Sequence, residues 1–298
     1  MDPASAAAIE LDHTQSSQLI ERKITCPFVG SAVAEGRLLV RNTLDNPLAS
    51  IEDLRALGNS GGGDLGDLLV LFASGNHAFM RGRADALDTR APDGLFSLEF
   101  PGSQGSHLGH SGILQGDPRT TGSGRLSLDD FVRLAGKATN GAVARSMVAS
   151  FIAENLLGDP DAKVFGTNAI AAFGEDLLSF LGSTAASWIR RLSGSGDDVR
   201  VAHRNMEITL TKLLGVDNLV GSSGEYGLLF AFLANRPGAP KVGDEPALLL
   251  QDLQDMFVLK RLPPGWETWM KTRRDWTRNT FELLAGAGKE YRRRRNNF

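Results

Sequence analysis

Apolar residues recur at spacings of three and four through most of the chain, and strict two-residue alternation is rare. The first spacing predicts helices, and the second would predict strands. The first clear element is Phe28 to Glu35 (FVGSAVAE), entered through Pro27 and stopped by Gly36. Proline suits a first helical position, where its preset φ helps and its missing N–H is not needed. Glycine suits the stop, because the left-handed turn costs it little. A second helix is predicted over IEDLRALGN, with Ser50 as N-cap and Glu52 and Asp53 in its first turn. Ser60 to Gly63 (SGGG) predicts a flexible break, and Asp64 to His77 a buried helix. From Gly82 to Gly124 the periodicity fades among Gly, Ser, Pro, Asp and Thr, which predicts a long loop region.

Helical spacing returns after Ser127, a plausible N-cap, and runs over 128–156, 168–191 and 201–214. Gly221-Ser222-Ser223-Gly224 breaks the pattern ahead of an apolar helix from Glu225 to Leu233. Glu245 to Lys260 reads as an amphipathic helix with Leu248, Leu249, Leu253, Met256 and Phe257 on one side. Pro263-Pro264-Gly265 ends it, and a last helix follows over roughly 267–290. The expected fold is mostly α: one compact helical domain over 23–290 with long connecting loops. A partly ordered lead (1–22) precedes it, and a basic tail (291–298) follows.

The net charge of −3 makes no general case for nucleic acid or a membrane surface as partner. The Arg292–Arg295 run is an ordinary cationic helix end. No stretch is apolar enough for long enough to span a bilayer, and the first residues carry no secretory pattern. A cytoplasmic location is therefore the expectation. His107 and His110 stand three apart, a possible metal spacing, but no further His or Cys lies near them. No dedicated two-histidine site is expected there.

Cys26 is the single cysteine, which excludes an internal disulfide. Its place just before Pro27 puts the sulfur at a helix N-terminus. Unpaired N–H groups and the helix dipole there favour a thiolate, a good iron ligand. The alternative is that Cys26 is a small buried hydrophobe, the commonest role of a lone cysteine.

Four separated stretches together resemble the haem-thiolate peroxidases, the family of chloroperoxidase and the unspecific aromatic peroxygenases. The first is Cys26-Pro27 with Ala34, Gly36, Leu38 and Arg41 downstream. The second is Leu114-Gln115-Gly116-Asp117, similar to an acidic Glu-His-Asp or Glu-Gly-Asp segment. The third is Gly224-Glu225 with the apolar helix to Asn235-Arg236. The fourth is Lys260-Arg261-Leu262-Pro263, then Trp266. The likeness spans roughly residues 20–270.

The resemblance implies haem b with Cys26 as axial iron ligand and Pro27 beside it. It implies Glu225 as the distal acid–base group, with hydrogen peroxide and a small apolar or aromatic molecule as substrates. Phe230 and Phe232 could then line the substrate pocket, but their place on an apolar helix favours the core. Glu225 itself also reads as an acid stabilised at a helix start after Gly224. The chain departs from the family pattern at Gln115, Gly116 and Arg119, where a carboxylate, a carbonyl or histidine, and a serine hold a magnesium or manganese ion. An amide and a cation suit such an ion poorly, so none is expected. Arg119 is instead expected to pair with a haem propionate, its alternative being a solvated loop arginine. The family's distal arginine or histidine would fall at Asn218 or Gly116. That leaves Glu225 alone or assisted by His107 or His110, and it keeps a non-catalytic haem- or ligand-binding protein open as the alternative.

Overall fold

Asp12 opens the first helix with a reciprocal cap. Its carboxylate accepts from the Gln15 N–H at 2.8 Å, and the Gln15 side chain accepts from the Asp12 N–H at 3.1 Å. This starts α1 (His13–Lys23), whose Leu19 and Ile20 are buried in the core, in a stretch where the sequence predicts only a partly ordered lead. The computed structural model describes residues 7–24, 26–66, 68–69, 95–98, 126–159, 162, 164 and 218–296. The expected helices over 168–191 and 201–214, most of the 64–77 helix, and Arg119, Gln115, Gly116, His107 and His110 lie outside them.

After α1 come α2 (Pro27–Ala34), β1 (Arg41–Asn42), β2 (Pro47–Ser50), α3 (Ile51–Gly58) and β3 (Leu95–Ser97). Next are α4 (Leu128–Ala135), β4 (Ala142–Ala144), α5 (Arg145–Gly158) and α6 (Asn218–Leu233). The chain ends with β5 (Lys241–Val242), β6 (Glu245–Leu249), α7 (Leu250–Phe257) and α8 (Arg273–Arg295). The described residues are thus mostly α, with two small antiparallel sheets ordered β1-β2-β3 and β4-β6-β5. The expected caps are present: Ser50 accepts from the Asp53 N–H at 3.2 Å and Ser127 from the Asp130 N–H at 3.3 Å.

Several further expectations fail, each for a tertiary reason. Gly221-Ser222-Ser223-Gly224 is not a break, since α6 runs through it, and all four residues are buried. α8 packs along α6 and α5, and small residues set how closely. A Cβ on Gly227 would lie 2.1 Å from Thr280 Oγ1 on α8. Gly227, one turn on from that segment, is thus a close-approach residue, while the Gly224 carbonyl accepts from Trp276 Nε1 of α8 at 3.0 Å. Second, the Glu245–Lys260 stretch is not one helix. Val143 pairs with Leu248 and Ala142 with Leu249, so a partner strand about a hundred residues away wins over the local spacing. Third, the last helix begins at Arg273, after a short 3₁₀ turn at Trp266–Thr268, and reaches Arg295. Arg294 on its final turn donates to Glu154 Oε1 on α5 at 2.8 Å, so these residues are docked helix rather than tail.

Ser60–Gly63 is likewise not a loose hinge. Ser60–Gly62 forms a 3₁₀ turn pressed onto the Trp269–Lys271 backbone. Gly61 has φ 71°, and a Cβ there would sit 2.2 Å from the Trp269 carbonyl oxygen. Lys271 closes this contact from the other side and is fully buried. Its Nζ donates to Ser60 Oγ at 3.0 Å, to Trp269 O at 2.9 Å and to Trp266 O. It also lies 4.3 Å from the centre of the Trp266 ring and 4.4 Å from that of Trp269. Burial pushes its pKa down from 10.5 to about 8. Three acceptors and two indole faces oppose that push, so the group is an ammonium at neutral pH.

Two outcomes test these contacts. Gly227→Ala, which in an exposed helix would stabilise, should here cost about 1–3 kcal/mol in urea unfolding because the added methyl meets Thr280. Lys271→Met should cost about 3 kcal/mol or more, since it leaves three buried acceptors without their shared donor.

Candidate functional site

Cys26 is the N-cap of α2, with Pro27 at the first helical position, as the sequence predicts. Its carbonyl accepts from the Gly30 N–H at 2.9 Å. The Phe28 and Val29 N–H groups lie toward the sulfur and favour a thiolate, without closing a side-chain cap of normal geometry. The residue keeps partial exposure, but protein atoms surround the thiol. Burial is the largest influence and pushes its pKa up from 9.0 to about 11; the Glu225 carboxylate adds to the rise. The two N–H groups and the Lys260 ammonium oppose it without cancelling it. The thiolate expected from the helix N-terminus is therefore overturned for the thiol by itself: desolvation outweighs the dipole.

Glu225 sits at mid-helix in α6, half-buried between the buried Gly224 and Tyr226. Because α6 begins at Asn218, Glu225 is two turns in, and the helix-start alternative for it does not hold. Trp276 Nε1 of α8 donates to the Gly224 carbonyl at 3.0 Å and fixes α6 at this point. Phe230 and Phe232 are buried in the core, as the core alternative has it.

Three of the four stretches that carry the resemblance meet in space. Phe28, two residues after Cys26, stacks on Phe232 of α6 with ring centres 4.9 Å apart. Trp266 packs on both, at 5.1 Å from Phe28 and 5.2 Å from Phe232. Ser31 Oγ lies 2.8 Å from the Pro27 carbonyl and 3.1 Å from the Met256 carbonyl, which ties α2 to the end of α7. Glu35 Oε1 accepts from the Leu262 N–H at 2.9 Å, and Arg37 pairs with Glu35 and Glu267. The second stretch, around Gln115, lies outside the described residues. So does Arg119, and with it any test of a propionate contact.

Beside the Glu35–Leu262 contact opens a surface cleft of about 500 Å³, lined by Glu35, Arg37, Asp255, Arg261, Leu262 and Pro264. It includes neither Cys26 nor Glu225. In the sequence Lys260 is read only within the Lys260-Arg261-Leu262-Pro263 stretch, without a role of its own, and Lys271 is not singled out. Lys260 follows an amphipathic run where glycine usually turns the chain, and that missing glycine was the available signal. Lys271 had none beyond its apolar neighbours.

No family model, curated protein or solved structure matches the chain. Among the described residues no helix is long and apolar enough to cross a membrane. Nor does any group of three or more His, Cys, Asp or Glu stand ready for a metal ion among them. A porphyrin brings four nitrogens of its own and asks the protein for one axial ligand, so a single cysteine meets that need. Cys26 supplies one soft sulfur, with the Phe28 and Val29 N–H groups toward it and the Glu225 carboxylate close enough to raise its pKa.

The raised thiol pKa has a stability consequence. Between pH 9 and 11 the folded protein holds a proton on Cys26 that the unfolded chain has released. Stability is therefore full below pH 9 and falls as pH rises toward 11. A rise from 9.0 to about 11 corresponds to about 3 kcal/mol. Urea unfolding of the haem-free protein at pH 8 to 11 should show a fall of this order beyond that of Cys26→Ala.

Proposed function

We propose that the chain is a haem-thiolate peroxidase or peroxygenase that uses hydrogen peroxide to oxidise or oxygenate a small apolar or aromatic molecule. The observation that carries this is the convergence of the Cys26, Glu225 and Lys260–Trp266 stretches, which lie far apart in sequence, on one aromatic contact. It supports a compact helical haem-thiolate fold rather than a lone core cysteine. Cys26 would hold haem b from the N-terminus of α2, with Pro27 setting the helix start and Arg119 pairing with a propionate. No magnesium or manganese ion is proposed, given Gln115.

When bound, haem supplies the redox centre at which peroxide is reduced and the organic substrate oxidised. The residues do the rest. Binding to a ferric centre favours the Cys26 anion that burial alone disfavours, and the Phe28 and Val29 N–H groups orient it. The Glu225 carboxylate takes the proton from one peroxide oxygen and delivers it to the other, the oxygen that departs as water. Apolar residues around Glu225 on α6 limit the access of bulk water.

One observation favours a second reading, a haem- or ligand-binding protein without peroxide activity. Asn218, two turns before Glu225 on α6, is neutral where an arginine would assist the carboxylate. Absorption spectra of protein produced with haem supply decide first. A strongly red-shifted Soret band under carbon monoxide after reduction, lost in Cys26→Ala, is expected. Absence of any haem band after reconstitution overturns the proposal. Glu225→Gln should then keep the band and slow peroxide-driven product formation about a hundredfold or more. Stoichiometric haem without product in the wild type selects the second reading.

A further inference from the structure

The short helix α4 shows apolar side chains in two directions. Leu134 is buried, and Phe131 packs against the core. Leu128 and Val132, four positions apart and so neighbours on another side of the helix, are 63% and 66% exposed. No other large apolar side chain among the described residues is as exposed. A lone exposed aliphatic residue is ordinary, because a folded surface is never free of apolar atoms. Two on adjoining turns form a patch, and a patch edged by charge marks an interaction surface.

The edge of this patch is cationic. Val132 adjoins Arg133, whose Nη2 lies 3.9 Å from Glu154 Oε2 on α5 and whose guanidinium carbon lies 5.3 Å from the centre of the Phe151 ring. Lys137, just past α4, pairs with Glu154 Oε1 at 2.7 Å. Arg294, on the last turn of α8, pairs with the same oxygen at 2.8 Å. One carboxylate thus ties α4 to the end of α8. The arginines around Arg294 are exposed. Arg293 pairs with Glu290 at 2.7 Å, whereas the guanidinium groups of Arg292 and Arg295 make no hydrogen bond or ion pair with the described residues. Asp130, Glu154 and Glu290 are all taken up in ion pairs, and Asp129 is the exposed carboxylate of α4. The net charge of −3 conceals this, because the surplus of cations is local.

We propose that α4 and the end of α8 together dock on an anionic lipid surface, with Leu128 and Val132 entering the interface and Arg292 and Arg295 meeting the headgroups. The aliphatic pair decides between the anionic partners that a basic helix end suits. A nucleic acid is held through its phosphates and by stacking of its bases, to which uncovered Leu and Val side chains add little. A lipid interface uses both features: aliphatic side chains settle at the acyl boundary while cations face the charged headgroups. With eight residues, α4 is far too short to span a bilayer and would lie along its surface. The docking stands independently of the function proposed above.

Cosedimentation of the full chain with vesicles tests it. Binding to phosphatidylcholine vesicles containing about 30% phosphatidylserine should be at least about tenfold tighter than to phosphatidylcholine alone, and about 0.5 M salt should remove most of the difference. Arg292→Gln combined with Arg295→Gln should weaken binding about tenfold or more, since each cation near the surface contributes roughly a fivefold factor. Leu128→Gln combined with Val132→Gln should weaken it by a similar factor, and Asp129→Asn should strengthen it by about two- to fivefold. All these positions are exposed, so circular dichroism should show the fold unchanged. A wild-type chain that does not bind the anionic vesicles overturns the inference. So does vesicle binding that the Leu128 and Val132 changes leave unaltered, the result expected of a basic end that takes any polyanion, duplex DNA included. A concentration-dependent dimer that those changes abolish, without vesicle binding, overturns it in favour of a second copy of the chain.

Discussion

The buried ammonium of Lys271 is the constraint on which the meeting point of this structure depends. A charge taken out of water costs several kcal/mol unless the protein supplies equivalent partners. Here Ser60 Oγ and the carbonyls of Trp266 and Trp269 accept its protons, and two indoles cover it. Those acceptors belong to two different segments, so neither can move without uncovering the charge. Trp266 is thereby fixed, and Trp266 is the ring on which Phe28 and Phe232 rest. The positions of α2, with Cys26 at its head, and of α6, with Glu225, follow from that aromatic contact. Further hydrogen bonds tighten it: Trp266 Nε1 donates to the Leu57 carbonyl at 3.1 Å and Trp269 Nε1 to the Phe232 carbonyl at 2.8 Å.

Elements with a local cause were legible in the sequence. Pro27 and Gly36 mark both ends of α2, and Ser50 and Ser127 cap α3 and α4, because those residues act on backbone groups within a few positions. Elements with a distant cause were not. Glycine carries two meanings, a stop or a close approach, and only the neighbouring segment decides between them. At Gly61 that neighbour is Trp269, and at Gly227 it is Thr280, each far away in sequence. Leu248 and Leu249 fit a helical face and a strand equally well; pairing with Val143 and Ala142 settles which.

The candidate site was legible in its members and less so in its electrostatics. The stretches at Cys26, Glu225 and Lys260–Trp266 do come together, whereas the chemistry expected of Cys26 from its helix N-terminus does not follow. A helix terminus contributes about 0.3–1 kcal/mol at an exposed site. Desolvation of a thiol surrounded by protein is larger, and it depends on packing that no local pattern reports. The same packing explains the charges around it. Burial holds the sulfur neutral, and the Lys260 ammonium opposes burial without cancelling it.

Glu225 and Lys260 then act on the sulfur with opposite signs, and their separation by element matters. Glu225 stands on α6, whose position is set by α8 through Gly227, Thr280 and Trp276. Lys260 stands at the exit of α7, tied to α2 through Ser31 and Glu35. Charges held by independent contacts can be altered one at a time. The α6–α8 packing and the α2–α7 contacts are thus built from different residues.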